Sequence, residues 1–491
     1  MANYILVMDQ GTTGSRGVVY DEKGKTVAID YEEYEQFFPN SGWWEQSGKT
    51  VWEVTLRTSR NAIKKAGLTG KDIAAIGIAN QRETTTIWDK ATGEPIYNTI
   101  VWGCRRTADI CAKLIEEGYN DTVNKKTGLV IDPTYSGSKI RWILDEVEGA
   151  QERAEKGELL FGTIDCWLLY NLTKGKVHAT DYSNAARSMV MNAHELKWDD
   201  ELLSMLNIPK CMLPEIKPSV GIFGYTDPEW FGAEIPITGI AGDQSAALFG
   251  QACFEEGAAK NTYGVPLMYT GDVAPETEKG LLTVAWGKDG KVKYSMGASI
   301  LIAGQVIQWL RDKINLVDHA AKTSVMAESI PDNGGVFFVP AFTGLGAPHW
   351  NTGARGMIIG ITAATSKEQI TRAALESMAY QTRDLLEEME RNSGIKLKEL
   401  KVDGGASKND FLMQFQADIL NCRVVRPKDI ETTALGACYL AGLGCGIFKS
   451  EDEIKELWEA DRVFEPQMDE ETRENLYAQW CKAVEKSKDW L

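Results

Sequence analysis

The chain has 491 residues, too many for a single hydrophobic core, so two domains or one large bilobal domain are expected. Its 70 acidic and 53 basic residues give a net charge of −17, which argues against nucleic acid as a partner. No apolar run approaches the roughly 20 residues of a membrane span, and nine scattered cysteines without a CxxC pair favour reduced thiols. The composition therefore predicts a cytoplasmic protein that binds neither membranes nor nucleic acid.

The chain opens with a predicted meander of three strands, over residues 4–8, 17–20 and 26–30. The first strand runs into Asp9, which precedes a turn of small residues, Gly11-Thr12-Thr13-Gly14. Backbone N–H groups and hydroxyls in such a turn can cradle phosphate oxygens, and the carboxylate beside them can hold Mg²⁺ through its water shell. The alternative is an ordinary Gly/Thr-rich hairpin turn.

A helical pattern over residues 50–66 precedes a predicted strand over residues 73–79, which leads into Gln81-Arg82-Glu83. A meander followed by a helix and a strand is typical of the start of an α/β layer. Because ligands of such layers bind beyond the carboxyl ends of the strands, Asp9 and Arg82-Glu83 are expected at one edge.

A polar, mostly helical region is predicted from residue 107 to about residue 227, and a buried strand over residues 235–240 follows it. This strand delivers Asp243 and Gln244 at its carboxyl end, before a helix of small residues over 245–250. Asp243 is then either a functional carboxylate at a strand end or the N-cap of that helix.

The second half repeats this alternation of strands and helices. Its strands are predicted over residues 259–263, 282–286 and 401–403, and its helices over residues 303–310, 369–389 and 410–420. The last strand runs into the glycine turn Gly404-Gly405-Ala406, which matches the acid-and-glycine turns of the first half. We therefore predict two related lobes, residues 1–250 and residues 251–491.

Several segments, in order along the chain, resemble those of the FGGY family of carbohydrate kinases. They are Gln81-Arg82-Glu83-Thr84-Thr85, Val101-Trp102, Cys104-Arg105-Arg106-Thr107 and residues 239–244, 340–348 and 356–376. The resemblance extends over essentially the whole chain and is nearest to the members that phosphorylate glycerol. It implies a two-lobed actin-like ATPase fold of the α/β class (ribonuclease H-like), with mixed sheets flanked by helices and a cleft between the lobes.

The resemblance implies an enzyme that uses ATP and Mg²⁺ to phosphorylate a terminal hydroxyl of a small polyol. Glycerol, converted to glycerol 3-phosphate, is the leading substrate. One alternative is a larger polyol or a sugar, such as erythritol, xylitol, an inositol or a ketose. A second alternative is a non-catalytic nucleotide-dependent sensor on the same fold. The family also implies a homo-oligomer, either a dimer or a tetramer.

The family pattern assigns a role to individual positions of this chain. Asp243 matches the base that accepts the proton of the attacking hydroxyl, and Asp9 matches the Mg²⁺ ligand. The positions that match substrate contacts are Arg82, Glu83, Trp102, Thr134, Tyr135, Asp243 and Gln244. The positions that match ATP contacts are Thr12, Thr13, Arg16, Gly264, Val265, Gly304, Gly404, Gly405, Ala406 and Asn409.

Three further assignments have structural alternatives. Arg82 and Glu83 are mixed donors and acceptors that suit neighbouring hydroxyls, but they could equally form a plain surface ion pair. Trp102 could be a core residue, since the chain has 15 tryptophans. Gly304 could simply be a glycine at the start of a helix.

The departures from the family pattern cluster at the substrate side. Thr134 stands where the family usually has Tyr, and Gly103 stands where it has Gln. The segment Gly264-Val265-Pro266-Leu267 replaces a Gly-Thr-Gly turn and a Phe, and Pro266 has no N–H to offer a phosphate. Each lost ring removes very roughly 1.5–3 kcal/mol of apolar contact when fully buried. The pocket is therefore expected to be roomier, unless Tyr135 or Leu267 restores its wall.

Overall fold

The computed structural model describes residues 3–275, 277 and 280–491. The strands are β1 (Tyr4–Gln10), β2 (Gly14–Tyr20), β3 (Thr26–Glu33), β4 (Glu45–Gln46), β5 (Ile73–Asn80), β6 (Thr86–Asp89), β7 (Thr99–Ile100), β8 (Leu159–Gly162), β9 (Ala179–Asp181), β10 (Met191–Asn192), β11 (Lys197–Trp198), β12 (Glu215–Lys217), β13 (Val220–Tyr225), β14 (Pro236–Gly242), β15 (Ala258–Thr262), β16 (Val265–Gly271), β17 (Leu282–Lys288), β18 (Lys291–Gly297), β19 (Phe337–Val339), β20 (Met357–Ile359), β21 (Glu399–Asp403), β22 (Arg423–Pro427) and β23 (Ala460–Phe464).

The α-helices are α1 (Gly48–Lys65), α2 (Ala108–Glu116), α3 (Asn120–Thr127), α4 (Ser136–Glu146), α5 (Ala150–Glu155), α6 (Ile164–Leu172), α7 (Tyr182–Ala185), α8 (Asp200–Met205), α9 (Pro228–Phe231), α10 (Asp243–Gly250), α11 (Gln305–Asp312), α12 (Lys322–Glu328), α13 (Lys367–Ser393), α14 (Asp410–Leu420), α15 (Thr432–Cys445), α16 (Glu451–Leu457) and α17 (Glu470–Ser487). Short 3₁₀ helices lie at Gly70–Asp72, Lys210–Met212 and Gly405–Lys408.

The chain divides into two compact units. Unit 1 comprises Met1–Phe254, Gly271–Ser295 and Thr432–Trp458, and unit 2 comprises Glu255–Thr270, Met296–Glu431 and Glu459–Leu491. The division into lobes 1–250 and 251–491 stays a prediction.

A six-stranded mixed sheet of order β13-β14-β5-β1-β2-β3 is the centre of unit 1. β1, β2 and β3 form the predicted antiparallel meander, β5 pairs in parallel with β1, and β14 pairs in parallel with β5. Strand residues alternate between the two faces of a sheet, so helices can cover both. α1 packs on one face, against Met8 and Ile78. On the other face, Gly77 and Gly239 allow α15 to approach the sheet closely.

Gly77 and Gly239 are the points where α15 approaches the sheet. A Cβ on Gly77 would lie 2.4 Å from the carbonyl oxygen of Ala437, and a Cβ on Gly239 would lie 2.4 Å from the amide nitrogen of Ala441. Helix α10 packs on α15 in the same way, because a Cβ on Gly436 would lie 1.8 Å from the carbonyl oxygen of Ala246. Backbone contact at these glycines therefore fixes the position of the helix that begins at residue 243.

Unit 2 contains five of the seven strands of a second sheet, in the order β16-β15-β21-β22-β23. β15 and β16 form an antiparallel hairpin, β21 pairs in parallel with β15, and β22 pairs in parallel with β21. The long helix α13 begins at a capping box formed by Ser366 and Gln369 and ends at Gly394, whose φ of 71° suits glycine. The hairpin and parallel strands of unit 1 thus recur in unit 2.

The region predicted as mostly helical, from residue 107 to about residue 227, also contains six strands, β8 to β13. The other predicted elements are found close to their predicted bounds, with one shift at the site. Helix α10 begins at Asp243 and not at Ser245, and its N-cap is Gly242. The nine cysteines, all within the described residues, have free thiols. No helix in the described part of the chain combines the length and apolarity that crossing a membrane would require.

Candidate active site

Three parallel strands of unit 1 end at the same edge of its sheet. The pairing register places Gln10 of β1 opposite Asn80 of β5, and Asn80 opposite Gly242 of β14. The residues that flank or follow these ends are Asp9, Arg82-Glu83 and Asp243. The edge that the sequence predicts for Asp9 and Arg82-Glu83 is therefore present, and Asp243 joins it.

Asp9 and Arg16 face each other across the hairpin that β1 and β2 form. They are paired in its register, and the distance from Arg16 Nη1 to Asp9 Oδ2 is 3.9 Å. The turn between the strands is closed by a hydrogen bond from the Gly11 amide to the Gly14 carbonyl, at 3.0 Å. The turn predicted to cradle phosphates is therefore a hairpin turn, and its role in phosphate binding stays a prediction.

Thr12 and Thr13 lie in this turn, and other parts of unit 1 hold the turn in place. Gln46 donates to the Thr12 carbonyl at 2.6 Å, and the Tyr34 amide donates to the Thr13 carbonyl at 3.2 Å. The Trp102 indole Nε1 donates to Thr12 Oγ1 at 3.0 Å. Trp102 is half-buried and tied to the turn, so it is not a plain core residue.

Arg82 and Asp243 form an ion pair, with 3.3 Å between Arg82 Nε and Asp243 Oδ1. The Arg82 side chain is 6% exposed whereas that of Asp243 is 33% exposed, so the carboxylate opens to solvent and the guanidinium does not. Burial lowers the pKa of Arg82, while Glu83 and Asp243 oppose this effect. Arg82 Nη1 is buried and has no hydrogen-bond partner in the described part of the chain, which suits a ligand hydroxyl.

Asp243 also interacts with the residue that follows it. Its Oδ1 accepts a hydrogen bond from the Gln244 amide at 2.7 Å, and its Oδ2 accepts one from Gln244 Nε2 at 3.3 Å. Because Gly242 is the N-cap of α10, the reading of Asp243 as an N-cap is wrong. Asp243 and Gln244 sit together on the first turn of the helix.

Glu83 is buried and paired with Arg187, a residue that the sequence did not single out. Arg187 Nε donates to Glu83 Oε1 at 2.6 Å. Glu83 and Arg82 are 5% and 6% exposed, so they do not form the surface ion pair considered as their alternative. The Arg187 guanidinium lies 5.0 Å from the centre of the Tyr135 ring. The carboxylate of Glu83 raises the pKa of Arg187 against the opposing effect of burial.

Thr134 and Tyr135 precede helix α4. Thr134 uses its amide and its hydroxyl to bind Asp132 Oδ1, at 2.8 and 2.5 Å. Lys139 reaches back from α4 to donate to the carbonyl oxygens of Pro133 and Thr134, and burial lowers its pKa to about 8. Tyr135 is buried, 4% exposed, and burial raises its pKa.

The predicted ATP-contacting residues of unit 2 follow the ends of two neighbouring strands. Thr262 of β15 pairs with Asp403 of β21, so the turns at Gly264 and Gly404 leave the same edge of the sheet. Both glycines have positive φ, 113° and 79°. Val265 opens β16, and the Ile300 amide donates to the Gly264 carbonyl at 2.7 Å.

Two of the remaining predicted ATP-contacting residues cap helices. Gly304 is the N-cap of α11, as its structural alternative predicts, and Asn409 is the N-cap of α14. Asn409 Oδ1 accepts a hydrogen bond from the Leu412 amide at 3.0 Å. Gly405 and Ala406 begin a 3₁₀ turn. A Cβ added to Gly304 or Gly405 would meet no atom within 4 Å, so a ligand has room there.

A buried polar network behind the strand ends also escaped prediction. Asn80 and Asn184 exchange side-chain hydrogen bonds of 2.9 and 3.0 Å, and Asn184 Nδ2 also donates to Asp181 Oδ1 at 2.9 Å. Ser183 Oγ donates to Asp181 and accepts from the Gly242 amide at 2.8 Å. The network thus joins the ends of β5 and β14.

Comparison with known proteins identifies the family to which this chain belongs. The model of the FGGY family of carbohydrate kinases, N-terminal domain, matches residues 4–250, and the C-terminal domain model of that family matches residues 266–445. The chain belongs to the FGGY family of carbohydrate kinases. The family resemblance and the ATP-dependent kinase activity that the sequence implies are confirmed.

Relatives of this FGGY kinase resemble it along its whole length. It is 57% identical to glycerol kinase 2 of Thermotoga maritima over 491 residues, 99% of each chain. It is also 57% identical to the glycerol kinase of Caldanaerobacter subterraneus subsp. tengcongensis, over 100% of this chain and 99% of the relative.

A solved structure of Plasmodium falciparum glycerol kinase with ADP matches with a TM-score of 0.92 and 35% identity, covering 99% of this chain and 98% of that one. A gluconate kinase of Lactobacillus acidophilus shares the fold, with a TM-score of 0.88 at 24% identity and coverage of 98% of each chain. The predicted actin-like α/β fold of the FGGY kinases is confirmed.

Proposed function

We propose that this FGGY kinase transfers the γ-phosphoryl group of ATP to a terminal hydroxyl of glycerol, giving glycerol 3-phosphate. The observation that carries the proposal is the 3.3 Å ion pair between Arg82 and Asp243 at the edge where β1, β5 and β14 end. The names of relatives at 57% identity over the full length support glycerol as the acceptor.

In this proposal Asp243 is the base. Its carboxylate accepts the proton of the attacking hydroxyl while the new O–P bond forms and the bond from the γ-phosphorus to the bridging oxygen of ADP breaks. The Arg82 guanidinium is the cationic partner of this carboxylate, with 3.3 Å between Arg82 Nε and Asp243 Oδ1. The 33% exposure of the Asp243 side chain leaves it within reach of a substrate.

Arg82, Glu83 and Gln244 would hold the polyol. The buried Nη1 of Arg82 has no partner in the described chain and can donate to a substrate oxygen. The Glu83 carboxylate can only accept, and the Gln244 amide can do both. The neighbouring hydroxyls of a polyol can each donate and accept a hydrogen bond, so they match the donors and acceptors of these three side chains. Trp102, fixed through its indole to Thr12, would lie against the carbon backbone of the polyol.

Residues of unit 1 would hold the phosphates of the nucleotide. Thr12, Thr13 and Arg16 offer hydroxyls, amides and a guanidinium for the phosphates, as phosphoryl transfer requires. In unit 2 the family assigns ATP contacts to Gly264, Val265, Gly304, Gly404, Gly405, Ala406 and Asn409. The open space above Gly304 and Gly405 fits such a role.

Mg²⁺ fits the donor set around Asp9. Mg²⁺ usually keeps several waters and binds through one or two carboxylates together with substrate phosphates. Asp9 is a carboxylate at the phosphate turn, and no cluster of three or more metal-binding side chains occurs within the described residues. When bound, the ion would neutralise charge on the phosphates. We propose Asp9 as a protein ligand of this ion, acting through water.

The test is ADP release in the presence of ATP, Mg²⁺ and a panel of acceptors. We expect glycerol to give the highest kcat/KM, with erythritol, xylitol, an inositol and a ketose far below it. A larger acceptor that exceeds glycerol would replace it as the substrate. ATP binding without turnover on any acceptor would indicate a nucleotide sensor and refute the proposal.

The base is tested by Asp243→Asn, which keeps the size of the side chain but removes its basicity. We expect kcat to fall by roughly 10²- to 10⁴-fold, the usual contribution of a general base. Asp227→Asn is the control, because Asp227 is the N-cap of the distant helix α9 in the same unit. If Asp243→Asn keeps more than half of the activity, another group is the base.

A homo-oligomeric state, dimer or tetramer, remains a prediction that rests on the family resemblance, and a cytoplasmic location remains a prediction that rests on the composition. Size-exclusion chromatography with light scattering tests the first.

A further inference from the structure

Glu83 and Arg187 form a buried ion pair next to the pair formed by Arg82 and Asp243. Both side chains are buried, 7% and 8% exposed, and 2.6 Å separates Glu83 Oε1 from Arg187 Nε. We propose that Arg187 is a positioning residue. It holds the Glu83 carboxylate in the orientation that binds the polyol, and by neutralising Glu83 it leaves Arg82 paired with Asp243. This inference rests on the proposed function, because it assigns Glu83 to the polyol.

The backbone of Glu83 is held in a conformation that favours glycine. Its φ is 59°, in the left-handed region that few non-glycine residues adopt. Two hydroxyls, Thr85 Oγ1 and Ser136 Oγ, donate to its carbonyl oxygen, each at 3.0 Å. Strained residues of this kind persist when their surroundings fix them, and they cluster at ligand sites. The chain therefore fixes Glu83 at its carbonyl as well as at its carboxylate.

The pair leaves hydrogen-bonding capacity on both partners. Glu83 Oε2 accepts no hydrogen bond from the described residues, and the two terminal nitrogens of Arg187 donate none to them. The carboxylate oxygen Glu83 Oε2 can therefore accept a hydrogen bond from a polyol hydroxyl. Tyr135, whose ring lies 5.0 Å from the guanidinium, packs beside Arg187 and limits its rotation.

Two arginines and two carboxylates balance in charge at this site. Arg82 is paired with Asp243 and Arg187 with Glu83. If Arg187 lost its charge, Glu83 and Asp243 would compete for Arg82. A buried carboxylate without a partner is costly, so Arg82 would shift towards Glu83. Arg187 therefore acts on the polyol through Glu83 and on the base through Arg82.

The experiment compares Arg187→Gln and Arg187→Lys with the wild-type enzyme. We expect Arg187→Gln to raise the KM for glycerol about tenfold or more, the effect of losing one charge-assisted hydrogen bond in a buried site. The KM for ATP should change less than about twofold, since ATP contacts other residues. Arg187→Lys should recover part of the loss, because it restores the charge but not the planar guanidinium.

The matched control is Arg372→Gln in unit 2. Arg372 pairs with the buried Glu376 at 2.8 Å, and these side chains are 15% and 3% exposed. This variant should lose stability while both KM values stay as in the wild type. If Arg187→Gln and Arg372→Gln lower the melting temperature equally and neither changes the KM for glycerol, Arg187 is only structural and the inference is wrong.

A double-mutant cycle tests the pair without turnover. The melting temperature is measured for Glu83→Gln, Arg187→Gln and the combination. If the two residues are coupled, the melting temperature of the double variant falls by less than the sum of the decreases in the two single variants. Additive decreases in melting temperature would overturn the inference. A wild-type enzyme that phosphorylates no polyol would refute the proposed function instead, and the cycle would still show whether Arg187 and Glu83 are coupled in the folded protein.

Discussion

Asp165 is a buried acidic group whose protonation should change the stability of the protein within an accessible pH range. Its carboxylate is fully buried and accepts hydrogen bonds from the hydroxyls of Thr163 and Thr180, at 2.5 and 2.6 Å. Burial, followed by the negative charge of Asp181, raises the pKa of Asp165 to about 7. Asp181 receives more hydrogen bonds, from Ser183, Asn184 and Ser219, so it is the better site for the negative charge.

The sign and size of the effect follow from proton linkage. The folded pKa is about 7 and the ordinary value is 3.8, a difference of about 3 units. Between these values the folded state holds a proton that the unfolded state has released, so wild-type stability falls as pH rises from about 4 to about 7. At about 1.4 kcal/mol per unit, the total loss is about 4 kcal/mol.

Asp165→Asn removes this dependence. Relative to the wild type, the variant should gain about 3 kcal/mol in its free energy of unfolding between pH 5 and pH 8, because about two units of that range lie below the folded pKa. The assay is urea unfolding followed by tryptophan fluorescence at pH 5, 6, 7 and 8. A difference between variant and wild type that is constant over this range would mean that folded Asp165 is already ionised, and would refute the reasoning.

Asp199→Asn is the control for this series. Burial, which raises the pKa of Asp199, is outweighed by the hydrogen bonds from Lys126 and the Leu202 amide, so the net shift is downward. Stability from such a group is present above its unfolded pKa of about 3.8 and is lost only as pH falls below that value. The difference between Asp199→Asn and the wild type should therefore stay constant from pH 5 to pH 8.

Two further predictions concern contacts that position the site. Trp102→Phe removes the hydrogen bond to Thr12, and steady-state kinetics should show the KM for ATP rising about fivefold along with that for glycerol, at about 1 kcal/mol per bond. A change in the glycerol KM alone would contradict a role for that bond. Gly436→Ala places a Cβ 1.8 Å from the Ala246 carbonyl, and urea unfolding should show a loss of at least about 2 kcal/mol. Unchanged stability would mean that α10 and α15 separate easily.

The edge of the unit 1 sheet could be predicted from the sequence because its signals are local. The strands that lead to Asp9, Arg82 and Asp243 are short apolar runs, each followed by a polar segment, and parallel strands bring such segments together. The structure confirms these strands and their shared edge. The roles assigned to the residues there remain proposals.

Arg187 could not be found in the same way. It lies in Ser183-Asn184-Ala185-Ala186-Arg187, a segment without a strand end, a glycine turn or a periodic pattern to mark it. Its partner Glu83 is 104 positions earlier in the chain. Only the packing of the region between β5 and β14 brings the two together. Contacts between distant segments of this kind leave no local signal in one sequence.

Which side chain takes the place of the family's Tyr also depends on the conformation of the backbone, which one sequence does not show. From the sequence, either Thr134 or its neighbour could take that place. The Thr134 hydroxyl is bound to Asp132, and Lys139 holds the carbonyls of the turn, so the conformation of both residues is fixed. Tyr135 is the one that packs beside Arg187. An aromatic ring thus lies next to the Glu83 pair, which supports the alternative in which Tyr135 restores the wall of the pocket, and the size of the pocket stays a prediction.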